Sequence, residues 1–520
     1  MNRRRTVAGA FTLAALAFCA WLPALWSGFV ADDFLDLTVA KRWQGLGWAF
    51  GHDTSPLGGN AHFYRPLWMA WNAGLHDLLG GDAAVYHVVN LALFSLITIE
   101  VWLLARRLAG ERAAWIAGAA FAVYPRHGES VAWVTGSTDL TATALVLAAL
   151  LCLLAPTRAW ARVPVAAALA AGAALLKEVA FVLPVLAFLL AWTAPSVVAP
   201  ERRRRLAAAA AITIAQLGVL VARTSIVHGV GGYSEYPWRP ARLLLVAASY
   251  VLAAVSPPQL ELTRHPVLLL FPLLALGFLA WRIRGLRRAG DPRLRLALVG
   301  GAWFVVSLGP AINIAIDLNN ASGERLLFLP SVGLALVLAG ILDFAPRTPI
   351  VIAGVAAAAL CLWAASDWLT AGQIAGRVVR QAVALGPQSG ELVLLTEPET
   401  YRTALVFPAA IFLDAAAERR RRPDLTTSFC IQMQLRAERR GQVRIRPLAD
   451  GWYDARTKPD AAFDVPVLRT ERPLSPDCPY DAGSAGWHLG ITTAARAHPT
   501  PARQPAVFSY FDGRDLLRLG

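Results

Sequence analysis

Two adjacent carboxylates, Asp32 and Asp33, stand in the run GFVADDFLDL directly after a long apolar stretch. A carboxylate beside a reacting hydroxyl can take its proton, and a fixed cation nearby can hold the charge that develops on a leaving group. Four further groups share this placement at the ends of apolar runs. They are Tyr64-Arg65-Pro66, then His127, Glu129 and Asp139, then Lys177-Glu178, then Glu324-Arg325. Ionisable residues near or inside membrane-length apolar runs are costly and mark functional candidates. Each group also has a plain structural reading: a solvated cap, a headgroup anchor, a satisfied interfacial histidine, a turn or a local ion pair.

The elements that must position these residues follow from composition. The chain has 520 residues, 56% hydrophobic and 16% charged, against about 25% charged in a soluble globular protein. Apolar runs such as residues 91–105, 140–155 and 332–342 alternate with short basic clusters, and a spanning helix needs about 20 largely apolar residues. The net charge of +14 comes almost wholly from arginine, with Lys41, Lys177 and Lys458 the three lysines. Arginine clusters stand at run ends (3–5, 106–107, 202–205, 282–288), which is the positive-inside pattern and not a nucleic-acid footprint. Contacts with anionic membrane lipids fit the same clusters. The basic, apolar N-terminus mimics a signal peptide, but its apolar stretch is long, and it reads as a retained first helix.

Spans are expected at about 8–28, 86–105, 111–125, 138–155, 162–176, 179–194, 206–223, 267–281, 295–315, 327–343 and 349–366, with an outer loop at 29–85. Residues 241–256 keep the charge rule intact only as an interfacial or re-entrant segment. The reading is therefore a polytopic α-helical membrane protein of about eleven spans over 1–366, in a bacterial plasma membrane with a cytoplasmic N-terminus. Residues 367–520 form a small extracytoplasmic α/β or mostly β domain, with strands at GELVLLT, SFCIQMQL, GQVRIRP and AVFSYF and a helix in ALVFPAAIFLDAAAERRRR. A Cys430–Cys478 disulfide is one option there. In this topology all five polar groups face the same, outer side.

Six segments, in order, resemble the GT-C class of multispanning glycosyltransferases, most of all the transmembrane-and-tetratricopeptide O-mannosyltransferases and their bacterial relatives. They are FVADDF (29–34), FYRPL (63–67), YHVVNLALF (86–94), VYPRHGESVAWVTGSTDLTATAL (123–145), LLKEVAFVLPVL (175–186) and GERLLFLPSVGLAL (323–336). Two departures stand out. Tyr124-Pro125-Arg126-His127-Gly128-Glu129 replaces a histidine-proline-x-histidine-threonine-glutamate run, so the first histidine is missing. The tetratricopeptide repeats are absent as well.

The resemblance implies a polyprenyl-phosphate-linked sugar as donor, mannose among the candidates, and a protein or glycan as acceptor. Asp33 or Asp32 would be the general base of an inverting transfer, with Glu129 orienting the acceptor or assisting. Arg325, then Arg65 and Lys177, would hold the donor phosphate. Tyr64, His127, Asp139, Glu178 and Glu324 would shape or support the site. No metal-ligand spacing occurs and no cofactor is required by this scheme; a divalent metal stays open. Two other classes compete: a transporter or flippase of polyprenyl-linked sugars, which would spread polar groups through the membrane depth, and a non-catalytic assembly protein, which would not need them.

Overall fold

The computed structural model describes residues 3–519 except 42, 55–61, 156–159, 196–198, 230–239, 263–264, 313, 344, 409, 465–479 and 482–490. Helices dominate as far as residue 385. In chain order they are α1 (Arg3–Ala20), α2 (Asp32–Ala40), α3 (Leu46–Gly51), α4 (Pro66–Leu79), α5 (Ala83–Ala109), α6 (Glu111–Ala122), α7 (Gly128–Val131), α8 (Ser137–Leu153) and α9 (Arg162–Leu176). There follow α10 (Leu183–Thr193), α11 (Ala199–Val227), α12 (Pro240–Ala254), α13 (Leu270–Arg288), α14 (Arg293–Leu308), α15 (Phe328–Leu342) and α16 (Arg347–Leu385). Among the described residues seven helical segments are long and apolar enough to cross a membrane, and four shorter apolar ones accompany them. The chain is a multi-pass α-helical membrane protein.

The details depart from the sequence reading in two places. The first helix stops at Ala20 and continues as a 3-10 turn over Leu22–Trp26, where Pro23 breaks the α pattern. The expected domain border at 366/367 falls inside α16, whose 39 residues rise about 58 Å. The helix therefore carries the chain well past a hydrocarbon layer of about 30 Å, and the first strand begins only at Gly390. Helix α12, at 15 residues and about 22 Å, is shorter than that layer. Its Tyr250 and Val246 pack on Leu308, Ala311 and Leu327.

The 29–85 loop contains three short helices, α2, α3 and α4. Proline at the start of α4 fits because the first helical N–H needs no partner. Helix α16 approaches the chain just before the acidic pair very closely: a Cβ on Gly372 would meet the Gly28 nitrogen at 2.3 Å, so both positions need glycine.

The C-terminal region is a strand-rich domain with one helix, α17 (Ala410–Arg419). Its main sheet is built on β1 (Gly390–Tyr401), with β2 (Ala404–Leu405) folded back on its end and β3 (Leu425–Leu435) parallel to it. The Ala506–Phe511 strand pairs with the other edge of β1, also in parallel. All twelve residues of β1 are buried, as expected of a central strand covered on both faces. A second, four-stranded sheet includes Val443–Pro447 and Tyr453–Thr457. The four expected strands and the expected helix are all present, the helix shorter than its apolar run. Cys430 is buried and disulfide-bonded; Cys478 lies outside the described residues.

Candidate functional site

The acidic pair opens α2. Ala31, just before it, is held at φ 46° and ψ −128°, a conformation that glycine adopts readily and alanine only under strain. The turn aims the two carboxylates in different directions. Asp33 is fully buried and occupied. Its Oδ2 accepts the Val30 N–H at 3.0 Å, and its Oδ1 accepts both the N–H and the hydroxyl of Thr135, at 2.8 and 2.9 Å. Burial pushes its carboxyl up to about 7, against the pull of those hydrogen bonds.

Asp32 is half-buried, and among the described residues no hydrogen bond or ion pair engages its carboxylate. Burial raises its proton affinity; the charges of Arg325, Lys177 and Arg65 oppose that rise. Three cations from widely separated segments therefore act on one open carboxylate. The third acid, Asp36, was not singled out in the sequence. The spacing carried the signal, since residues three and four apart on a helix share a face. Burial, then the Asp32 charge, pushes Asp36 far above the carboxylate range. The Thr135 hydroxyl lies 2.9 Å from both Asp33 and Asp36. A hydroxyl has one hydrogen, so it can donate to only one of the two carboxylates at a time.

The cations are each fixed by an acid from another segment. Arg325 lies 3.3 Å from Glu129, and its backbone N–H donates to the same carboxylate at 2.8 Å. Its guanidinium sits 4.9 Å above the Trp133 ring. Burial raises the Glu129 carboxyl, and Arg325 works against the rise. Lys177 donates to Asp139. Arg65 forms a fork on Glu178 (2.6–3.0 Å), which also accepts from Arg223 at 2.8 Å. Arg223 closes this cluster from α11; its sequence signal was a lone arginine at the far end of an apolar helix. Tyr64 is buried, donating its hydroxyl to the Phe50 carbonyl.

Two expectations need correction. Glu324 and Arg325, neighbours in sequence, do not pair with each other. Glu324 pairs with Arg126 at 2.9 Å, both fully buried, and Arg126 also donates to the Ser256 carbonyl at 2.7 Å. Arg126 thus occupies part of the run that departs from the family pattern and puts an internal ion pair there. His127 is a packed core residue. It packs against Phe94, Phe121, Tyr124 and Phe328, with Nε2 2.8 Å from the Ser331 hydroxyl. Burial lowers its imidazole to about 3, so it is neutral and supports the core. Among the described residues no group of three His, Cys, Asp or Glu side chains is arranged to hold a metal.

The C-terminal domain reaches into this site. In the turn after β1, the Thr403 carbonyl accepts the Ala321 N–H at 2.7 Å and the Val406 carbonyl accepts the Ala31 N–H at 2.9 Å. One short hairpin thus holds both the loop before Arg325 and the strained residue before Asp32. Phe407 stacks on Phe34 at 6.0 Å, and the Thr403 hydroxyl donates to Asp367 of α16.

No family model matches the chain. It is 35% identical over 156 residues to protein O-mannosyl-transferase Tmtc1 of Drosophila melanogaster, covering 28% of this chain and 18% of that protein. It is 37% identical over 141 residues to Tmtc2 of the same organism, covering 25% and 15%. The chain thus matches less than a fifth of the length of these relatives. Among solved structures, ArnT from Cupriavidus metallidurans bound to undecaprenyl phosphate aligns with 82% of this chain and 93% of its own, at 12% identity and TM-score 0.43. Arabinofuranosyltransferase AftD from Mycobacteria aligns with 78% and 30%, at 16% identity and TM-score 0.41. With TM-scores below 0.5, the fold description rests on the chain's own elements. In sequence, over about a quarter of its length, the chain is similar to the protein O-mannosyl-transferases.

Proposed function

We propose that this protein transfers a sugar from a polyprenyl-phosphate donor to a hydroxyl group of a protein or glycan acceptor at the outer face of a bacterial plasma membrane. The observation that carries the reading is Asp32: an open carboxylate in the field of Arg325, Lys177 and Arg65. An open acid beside fixed cations suits proton removal at one point and phosphate departure at another. The resemblance of the six sequence segments and the names of the curated relatives favour mannose as the sugar.

Asp32 takes the proton of the acceptor hydroxyl. That oxygen forms a bond to the anomeric carbon while the bond from that carbon to the phosphate oxygen breaks. The electron pair leaves with the polyprenyl phosphate, and configuration inverts. Arg325 faces the departing phosphate, since its guanidinium is partly exposed and carries a fork of N–H groups that suits phosphate. Lys177 and Arg65 supply charge from positions fixed by Asp139 and Glu178. Such cations need no reorganisation as the leaving group gains charge. Asp33, whose hydrogen bonds are already spent, is the anchor of the turn and not the base. Glu129 holds Arg325. The scheme uses no metal.

The test is transfer by the purified chain in lipid vesicles, with radiolabelled polyprenyl-phosphate mannose and a hydroxyl acceptor. Label appearing on the acceptor in the wild type and lost in Asp32→Asn supports the reading. Movement of intact donor across the vesicle membrane without transfer would instead identify a flippase.

A further inference from the structure

A cavity lies beside the acidic segment, with walls mostly apolar and arginines at one side. Its volume is about 570 Å³, within the range of small-molecule sites. One wall is Phe29 and Phe34, the residues that flank the acidic pair. The opposite wall is the outward end of α16, where Gly376, Val379 and Val383 face the space. The third side is Arg419, Arg420 and Arg421, at the end of α17.

These arginines are not spent on local structure. The next one, Arg422, does the local work: it donates to the Val383 and Pro387 carbonyls and closes the end of α16. Arg419 is half-buried with its guanidinium 5.2 Å over the Phe29 ring, and its Nη1 is buried without a hydrogen-bond partner. Leaving a buried guanidinium N–H unsatisfied is costly. Arg420 and Arg421 are exposed at the rim. The carboxylate whose charge acts on Arg419 is Asp33, which is already held by Val30 and Thr135.

We infer that this cavity is a phosphate subsite, which takes a phosphate-bearing group of the acceptor. Several arginines around an apolar-walled space suit a multiply charged oxyanion with a hydrophobic neighbour. The partnerless Arg419 N–H supplies the donor that such a group would satisfy. The assignment to the acceptor rests on the transfer reading above; binding of phosphate there does not.

The test measures binding of dioctanoyl phosphatidic acid to the full-length protein by native mass spectrometry, with dioctanoylglycerol as the uncharged control and inorganic phosphate as competitor. Two kinds of variant are compared: Arg420→Gln with Arg421→Gln, both exposed, and Gly376→Leu, which fills the cavity from a helix face and removes no charge. A loss of about tenfold in phosphatidic acid affinity in both, with the glycerol control unbound, supports the site. Competition by inorganic phosphate then assigns it to soluble phosphate groups, and its absence to a lipid headgroup. Equal binding in wild type and both variants, or binding of the uncharged lipid, overturns the inference. Asp32→Asn is expected to keep phosphatidic acid binding while losing transfer. Persistent transfer in Asp32→Asn beside arginine-dependent binding would sink the base assignment and leave the subsite standing.

Discussion

Asp33 and Thr135 are joined twice, by the Thr135 backbone N–H at 2.8 Å and its hydroxyl at 2.9 Å, both to the same carboxylate oxygen. The link ties the start of α2 to the turn before α8, 102 residues away. It also removes Asp33 from the pool of groups free to meet a substrate, and it leaves Asp32 as the open carboxylate of the pair.

The two aspartates should therefore separate in mutagenesis. Asp32→Asn is expected to lower transfer by about 10²–10⁴, the range for loss of a general base, with the melting temperature unchanged. Asp33→Ala is expected to destabilise by about 1–3 kcal/mol, because the Val30 and Thr135 donors lose their buried acceptor. Parallel transfer assays and thermal melts on the two variants check this; the reverse pattern would return the base role to Asp33.

Stability should fall with rising pH. The Asp33 carboxyl is raised to about 7 in the folded protein, from a value near 3.8 when unfolded. The folded state holds this proton more tightly, so the contribution is complete below the unfolded value and is lost as pH rises through about 7. Melting temperatures between pH 5 and 8 should decline in the wild type and decline less in Asp33→Asn.

Arg126→Ala should be more damaging to folding than any change at the exposed arginines. It leaves Glu324 buried without its partner, which costs about 3–5 kcal/mol. Arg126→Met combined with Glu324→Gln should recover much of that loss, since no buried charge is then left unpaired. A denaturation comparison of the single and double variants measures the coupling.

Ala31→Gly should stabilise the acidic turn by about 1 kcal/mol. The φ of 46° with ψ of −128° is strained for alanine and ordinary for glycine. A rise in melting temperature with a fall in transfer would show that the strain helps hold Asp32 in place; a lower melting temperature would show that Ala31 is not strained.

Arg325→Lys should keep a positive charge near Asp32 but lose fork geometry and the stacking on Trp133. Its expected signature is a lower kcat with a smaller change in KM for the polyprenyl-phosphate donor. Unchanged kcat would remove Arg325 from the leaving-group role.

The sequence by itself determined the apolar helices and the placement of Asp32, Glu129, Lys177 and Arg325 near the ends of apolar runs. Hydropathy runs and the ends of those runs carry that information, because the cost of a charge in lipid confines it to few places. Only the tertiary structure decided who pairs with whom. Glu324 and Arg325 are adjacent, but neighbours on this 3-10 turn point about 120° apart, and each found its partner more than 190 residues away. The same holds for Asp32 and Asp33: identical side chains one residue apart have opposite surroundings, because one is buried against Thr135 and the other is open to the charges of Arg325, Lys177 and Arg65.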